Sequence, residues 1–189
     1  MINNIENIIP LLVFQNSSFY EILIKKNSNN KVIKHYMIDN LQSLLTNYNE
    51  MKHISDCLDA SVYIKLSSYS KEKLGYKILE IISKKLEKQE LDYYTLVQEA
   101  IDDLNSNLEI WVVDINYQNV SKNEILRIKT VINDCAPNGR NIIGDIPTPN
   151  GIHIITRPFN TQQFMTHQDV FYKCEVKKNN PTILYSNVK

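Results

Sequence analysis

Glycine and arginine are scarce in this chain: it has four glycines and three arginines (Arg127, Arg140, Arg157) among 189 residues. No Gly-rich phosphate loop and no G-x-G-x-x-G turn is present, which excludes a Walker-type NTPase and a Rossmann dehydrogenase. Cysteine is sparse too. Cys57, Cys135 and Cys174 form no C-x-x-C pair, which argues against a zinc ribbon or a thioredoxin-type motif, and buried free thiols in a reducing compartment are expected. No apolar run approaches the ~18–20 residues a membrane helix needs. The longest, Ile8 to Phe14, is broken by Pro10. The first residues lack the basic region of a secretion signal. The expectation is a soluble chain with no membrane partner and a cytoplasmic location. No internal repeat is apparent.

Net charge is also missing: 21 basic residues balance 21 acidic ones. A whole-protein electrostatic footprint for nucleic acid is therefore absent. The distribution is uneven, however. Residues 120–189 hold nine Lys or Arg against five Asp or Glu, and residues 1–119 carry the opposite imbalance. A basic carboxy-terminal third can meet phosphates locally.

What is present reads as one α+β domain, with a mixed or antiparallel sheet flanked by helices. An N-terminal hairpin with helices (1–107) precedes a second part (108–189). Phe19–Lys25 and Lys31–Ile38 alternate as strands around a polar turn. Helices are expected at 41–51, after Ser70 to about residue 88 (Leu74, Ile78, Ile81, Ile82 and Leu86 inward), and then with Tyr93, Val97, Ala100, Ile101 and Leu104 inward. A strand is expected at 61–66. Leu108 to Asn116 is the strongest strand signal. Ser121 to Glu124 fits a capping box opening a helix. Strands at 141–143 and 151–156, joined by a turn over 145–150, precede a short helix capped by Asn160, a basic loop and a last strand at 182–185.

Three places carry chemistry. Asp114 and Asn116, two apart on a strand, point to the same face. They present a carboxylate and an amide oxygen, hard donors suited to Mg²⁺ or Mn²⁺. His153 alternates with isoleucines, and Ile155 and Arg157 follow on its face. An imidazole and a guanidinium so placed suit a triphosphate. Glu175, at a strand start within the basic stretch 173–178, offers a further oxygen ligand.

In order, these are a hydrophobic strand ending Trp111-Val112-Val113-Asp114-Ile115-Asn116, then Gly151-Ile152-His153, then Cys174-Glu175. The set resembles the three motifs of the archaeo-eukaryotic primase superfamily, the primase-polymerases of plasmids and phages. The resemblance covers about residues 108–185. It implies a primase-polymerase-like core and a DNA- or RNA-synthesising nucleotidyltransferase. Asp114, Asn116, His153 and Glu175 are then the catalytic set, and Asp114, Asn116 and Glu175 the ligands for Mg²⁺ or Mn²⁺. His153, Arg157 and Lys177 hold nucleotide phosphates. Nucleotides and single-stranded or primed nucleic acid are the partners, with Lys177 and Lys178 near the template backbone. Two departures stand out. The superfamily has an acidic residue where this chain has Asn116, which implies slow or absent catalysis, and the third motif lacks a strong hydrophobic lead. A non-catalytic nucleotide or nucleic-acid binder, or an interaction protein of a phage or mobile element, are the alternatives. A zinc site from His153, His167 and Cys174 lacks standard spacing, and a two-histidine phosphoesterase lacks its second motif.

Overall fold

Two antiparallel sheets form from ten short strands among the described residues. The computed structural model describes residues 1–88, 93–104, 110–118, 120–137, 139–178 and 180–187. In chain order the elements are β1 (Ile2–Asn3), α1 (Ile5–Ile8), β2 (Ser18–Lys26), β3 (Val32–Ile38), α2 (Leu41–Cys57), β4 (Ala60–Ile64), β5 (Tyr69–Ser70) and α3 (Lys71–Lys88). There follow α4 (Tyr93–Asp102), β6 (Trp111–Asn116), α5 (Lys122–Asp134), β7 (Ile142–Thr148), β8 (Gly151–Thr156), α6 (Thr161–Met165), α7 (Gln168–Phe171), β9 (Glu175–Lys178) and β10 (Thr182–Ser186).

The first sheet has the order β1-β10-β4-β2-β3, with β5 also pairing with β2. Alternation on β2 sends Tyr20, Ile22 and Ile24 into a core shared with Leu44, Tyr48 and Met51 of α2. Asn40 caps α2 by accepting the Ser43 N–H at 2.7 Å. The helix runs to Cys57, past its expected end at Met51, because Met51 and Ser55 still find buried positions. On the opposite face of β2, Phe19 packs with Tyr69 and with Leu74, Ile81, Leu96, Ala100 and Ile101 of α3 and α4. Leu86 and Val97, expected inward, are exposed. The Tyr93 side chain lies outside the described residues, as do Leu108 and Glu109 at the expected start of β6.

The second sheet has the order β7-β8-β6-β9. Read along the chain, this unit runs β6-α5-β7-β8-α6/α7-β9, the split βαβ arrangement in which the first and third strands are central. Trp111, Val113 and Ile115 face Ile128, Val131 and Ile132 of α5, with Phe164 and Val170 of α6 and α7. The capping box forms as expected: Ser121 accepts the Glu124 N–H, and the Glu124 carboxylate accepts the Ser121 N–H at 2.7 Å.

An α+β fold is thus observed, and every strand pairing is antiparallel rather than mixed. Three expectations change. Residues 145–148 continue β7, so the β7–β8 turn is only Pro149-Asn150, and Pro147 is accommodated because β7 is an edge strand. Residues 177–178, expected in a basic loop, belong to β9, which pairs with β6. The stretch 182–186, expected with the motif-bearing part, lies in the first sheet between β1 and β4.

The sheets are joined through the core. Val112, Ile146 and Ile155 of the second sheet lie in the same apolar cluster as Ile22, Val62 and Leu184 of the first. Asn4, buried, adds a polar tie. Its amide donates to the carbonyl of Pro147 on β7 and to that of Ile183 on β10, each at 2.9 Å.

Candidate functional site

Pairing register decides what meets. Asp114 on β6 stands opposite His153 on β8 and opposite Glu175 on β9, while His153 stands opposite Ile146 on β7. Directly paired residues share a face, so Ile146, His153, Asp114 and Glu175 form one row across the sheet, on the face away from α5. One row toward the interior are Ile155, Val112 and Lys177. One row toward the open end are Thr148, Gly151 and Asn116. Of the inner row, Val112 and Ile155 are sealed in the core shared with the first sheet, whereas Lys177 and, in the outer row, Asn116 reach solvent.

Gly151 is dictated by contact. A Cβ there would lie 1.8 Å from the Ile115 carbonyl oxygen, so any larger residue forces β8 away from β6. The Pro149-Asn150 turn is tied back by the Tyr117 N–H, which donates to the Asn150 carbonyl at 2.9 Å. Together these fix His153 beside Asp114.

The result is a cavity of about 510 Å³ whose walls include Asp114, Asn116, His153, Lys173, Cys174 and Glu175. His153 Nε2 is 3.5 Å from Asp114 Oδ1. Its Nδ1 hydrogen-bonds the Thr182 hydroxyl of β10 at 2.9 Å, so the ring spans the gap between the sheets. Burial lowers the His153 pKa more than the Asp114 charge raises it. The ring is therefore neutral near pH 7. Lys177 Nζ sits between the two carboxylates, 2.9 Å from Asp114 Oδ2 and 3.0 Å from Glu175 Oε2. Burial opposes this ammonium, yet its hydrogen bonds to Asp114 and Glu175 prevail and hold its pKa above the ordinary lysine value. The Cys174 thiol is pushed up to about 12 by burial and by the Asp114 charge, so it carries no thiolate at neutral pH. Lys173 pairs with Glu124 of α5, whose carboxyl is held down at about 2 by that lysine and by Ser121. Asn116 Oδ1 accepts the Gln118 N–H at 2.9 Å and keeps one lone pair for another partner.

Asp114, Asn116, His153 and Glu175 therefore share one cavity. Arg157 does not line it. It follows the far end of β8, exposed, four residues from His153 and so ~13 Å along the strand. Lys177 and Lys178 diverge: Lys178 lies over the Trp111 ring, 4.9 Å from its centroid, on the helix-covered face. Of the thiols only Cys135 is buried; Cys57 is exposed and Cys174 half-buried. Sequence reasoning missed the seat of Lys177 between the carboxylates, although its spacing of two from Glu175 on a strand would have put both on one face. Nothing in the sequence pointed to Thr182.

The donors around Asp114 suit a hard cation: two carboxylates and an amide oxygen. Among the described residues, however, no three His, Cys, Asp or Glu side chains converge closely enough to hold an ion, His153, His167 and Cys174 included. The position between Asp114 and Glu175 belongs to the Lys177 ammonium.

No protein-family model, curated protein or solved structure matches this chain. No helix among the described residues is long and apolar enough to cross a membrane.

Proposed function

We propose that this protein is a small primase-polymerase-like nucleotidyltransferase, slowed by Asn116, that acts on nucleotides and primed nucleic acid. The observation that carries the reading is the row His153–Asp114–Glu175, three motif residues distant in sequence yet adjacent on neighbouring strands at the mouth of a cavity. Asp114 and Glu175, with Asn116, would hold Mg²⁺ or Mn²⁺. Such an ion, when bound, supplies Lewis-acid stabilisation of the attacking and leaving oxygens at the nucleotide α-phosphate.

The chain's own residues account for the rest. Two carboxylates face Lys177 alone, since Lys173 is paired with Glu124, so the cavity is net negative and a phosphate anion enters only in company with a cation. Displaced from between the carboxylates, Lys177 becomes a free ammonium beside the phosphates. His153, neutral and oriented by Thr182, presents Nε2 to the same space. Its role is to position a phosphate by hydrogen bonding, with little of the Coulombic pull an imidazolium would exert.

A second reading, nucleotide binding without turnover, is favoured by one observation. Asn116 is committed to the Gln118 N–H and adds no charge where a second carboxylate would strengthen the metal site. Asp114→Ala separates the cases. Mn²⁺-dependent nucleoside triphosphate binding, read by calorimetry, and primer extension should both vanish while the thermal melt stays cooperative. Binding without extension in the wild type selects the second reading. Binding that survives Asp114→Ala refutes both.

A further inference from the structure

A second cavity, of about 680 Å³, shares a wall with the first: His153 and the turn residues Thr148, Pro149 and Asn150 line both. Its chemistry differs. Asp114, Glu175 and Lys173 line the first cavity, whereas no Asp, Glu, Lys or Arg is among the described residues lining the second. Its walls carry Asn27 of the β2–β3 turn, Ser61 and Tyr63 of β4 and the apolar Ile2 and Ile183, beside the His153 ring.

These groups are held in place. Asn27 Nδ2 donates to Asp59 Oδ1 at 2.8 Å, and Asn27 Oδ1 accepts from the Ser61 hydroxyl at 2.8 Å. An amide has two protons and two lone pairs, so Asn27 retains one donor and one acceptor in fixed relation. That donor–acceptor pair is the pattern by which an amide engages the edge of a nucleobase. Tyr63, half-buried with the Lys25 ammonium 5.6 Å from its ring centroid, supplies an aromatic surface. Among the described residues no Asp, Glu, Lys or Arg side chain lines this chamber, and its amides, apolar side chains and aromatic ring suit a planar polar heterocycle better than a phosphate chain.

We infer that the second cavity receives the base and sugar of a nucleoside triphosphate whose phosphates occupy the first, with His153 standing at the junction. This rests on reading the first cavity as the phosphate and metal site. It adds an orientation: the triphosphate points toward Asp114 and β9, and the base points across the β7–β8 turn toward Asn27 and Tyr63.

The test compares inorganic tripolyphosphate with the four common nucleoside triphosphates, titrated calorimetrically into the intact chain in Mn²⁺. At least one nucleoside triphosphate should bind ~10-fold more tightly than tripolyphosphate, as base stacking and edge contacts require. Tyr63→Ala and Asn27→Ala should each remove most of that advantage and leave tripolyphosphate affinity within about twofold of wild type. Asn27 stands at the end of the β2–β3 hairpin, so its variant carries the test if Tyr63→Ala fails to fold. Equal affinities for tripolyphosphate and every nucleoside triphosphate would overturn the base chamber and leave the phosphate site intact. Loss of the advantage in neither variant would overturn it as well. If no probe binds, the phosphate reading fails and takes this inference with it.

Discussion

Replacing Lys177 with methionine should tighten metal binding and weaken nucleotide binding, two effects of opposite sign from one substitution. The ammonium occupies the space between Asp114 and Glu175, at 2.9 Å and 3.0 Å. Exposed ion pairs contribute about 0.2–1 kcal/mol each. The Lys177 and Asp114 side chains are only 30% and 32% exposed, which puts their contact near the top of that range, whereas Glu175 is 71% exposed and its contact belongs near the bottom. The seat is thus worth about 1–1.5 kcal/mol, which an incoming divalent cation must overcome. Methionine keeps an unbranched apolar stem opposite Val112 and removes the competitor. Mn²⁺ should then bind about 5–12-fold more tightly. In saturating Mn²⁺, nucleoside triphosphates should bind several-fold more weakly, since a phosphate partner is gone. Calorimetric titration of wild type and Lys177→Met measures both. Lys178→Met, on the Trp111 face, is the control and should leave both affinities unchanged. Unchanged or weaker Mn²⁺ binding in Lys177→Met would refute the idea that this lysine and a metal compete for one position.

Asn116→Asp adds a carboxylate beside Asp114 and should raise Mn²⁺ affinity by ~10-fold, because affinity follows ligand charge; primer extension run alongside shows whether turnover follows, and equal or weaker binding would mean residue 116 faces no metal. The His153 ring should titrate below its ordinary 6.5 in an NMR pH series, since burial disfavours its charged form. The unfolded chain then takes up the proton first. Stability should fall as pH drops from about 6.5 to the lower folded value, and His153→Gln should abolish that slope. Asn4→Ala strips the buried Ile183 carbonyl and the part-buried Pro147 carbonyl of their donor and should lower stability by about 1–3 kcal/mol, read as a fall in melting temperature of roughly 3–9 °C; a smaller shift would mean that water replaces the amide.

The elements legible in the sequence were those whose signals are local. The Ser121–Glu124 capping box, the Asn160 cap and the alternation in β2, β3 and β8 all depend on neighbours within four residues, and each matches the structure. Asp114 and Asn116 sharing a face followed from strand period alone. Arg157 shows the limit of that reasoning. Period two put it on the face of His153, but the strand stops at Thr156 and its row lies at the closed end. The Glu21 cluster was illegible for a different reason. Glu21 is fully buried and pairs with Lys65, just past β4, at 2.7 Å and with His35 of β3 at 3.1 Å, a meeting set by strand register rather than by spacing. A carboxylate amid Tyr20, Ile22 and Leu23 reads as an outward residue on an amphipathic strand until α4 is known to cover that face, where Gln98 Nε2 reaches it at 3.4 Å.

The placement of β10 has a consequence for the order in which the molecule assembles. Among the described residues β1 pairs with β10 alone, and β4 pairs with β10 along the edge it does not share with β2. During synthesis β4 is complete at residue 64, yet its neighbour arrives only with residues 182–186. At ~5–20 residues per second the edge of β4 stays open for about 6–24 s. Throughout that interval Val62 and Ile64 border an unpaired strand edge, the kind that recruits other chains. A nascent or truncated chain ending before Thr182 is therefore the form most exposed to aggregation. β10 also brings Thr182 to His153, so the cavity acquires its positioned imidazole only when the first sheet closes.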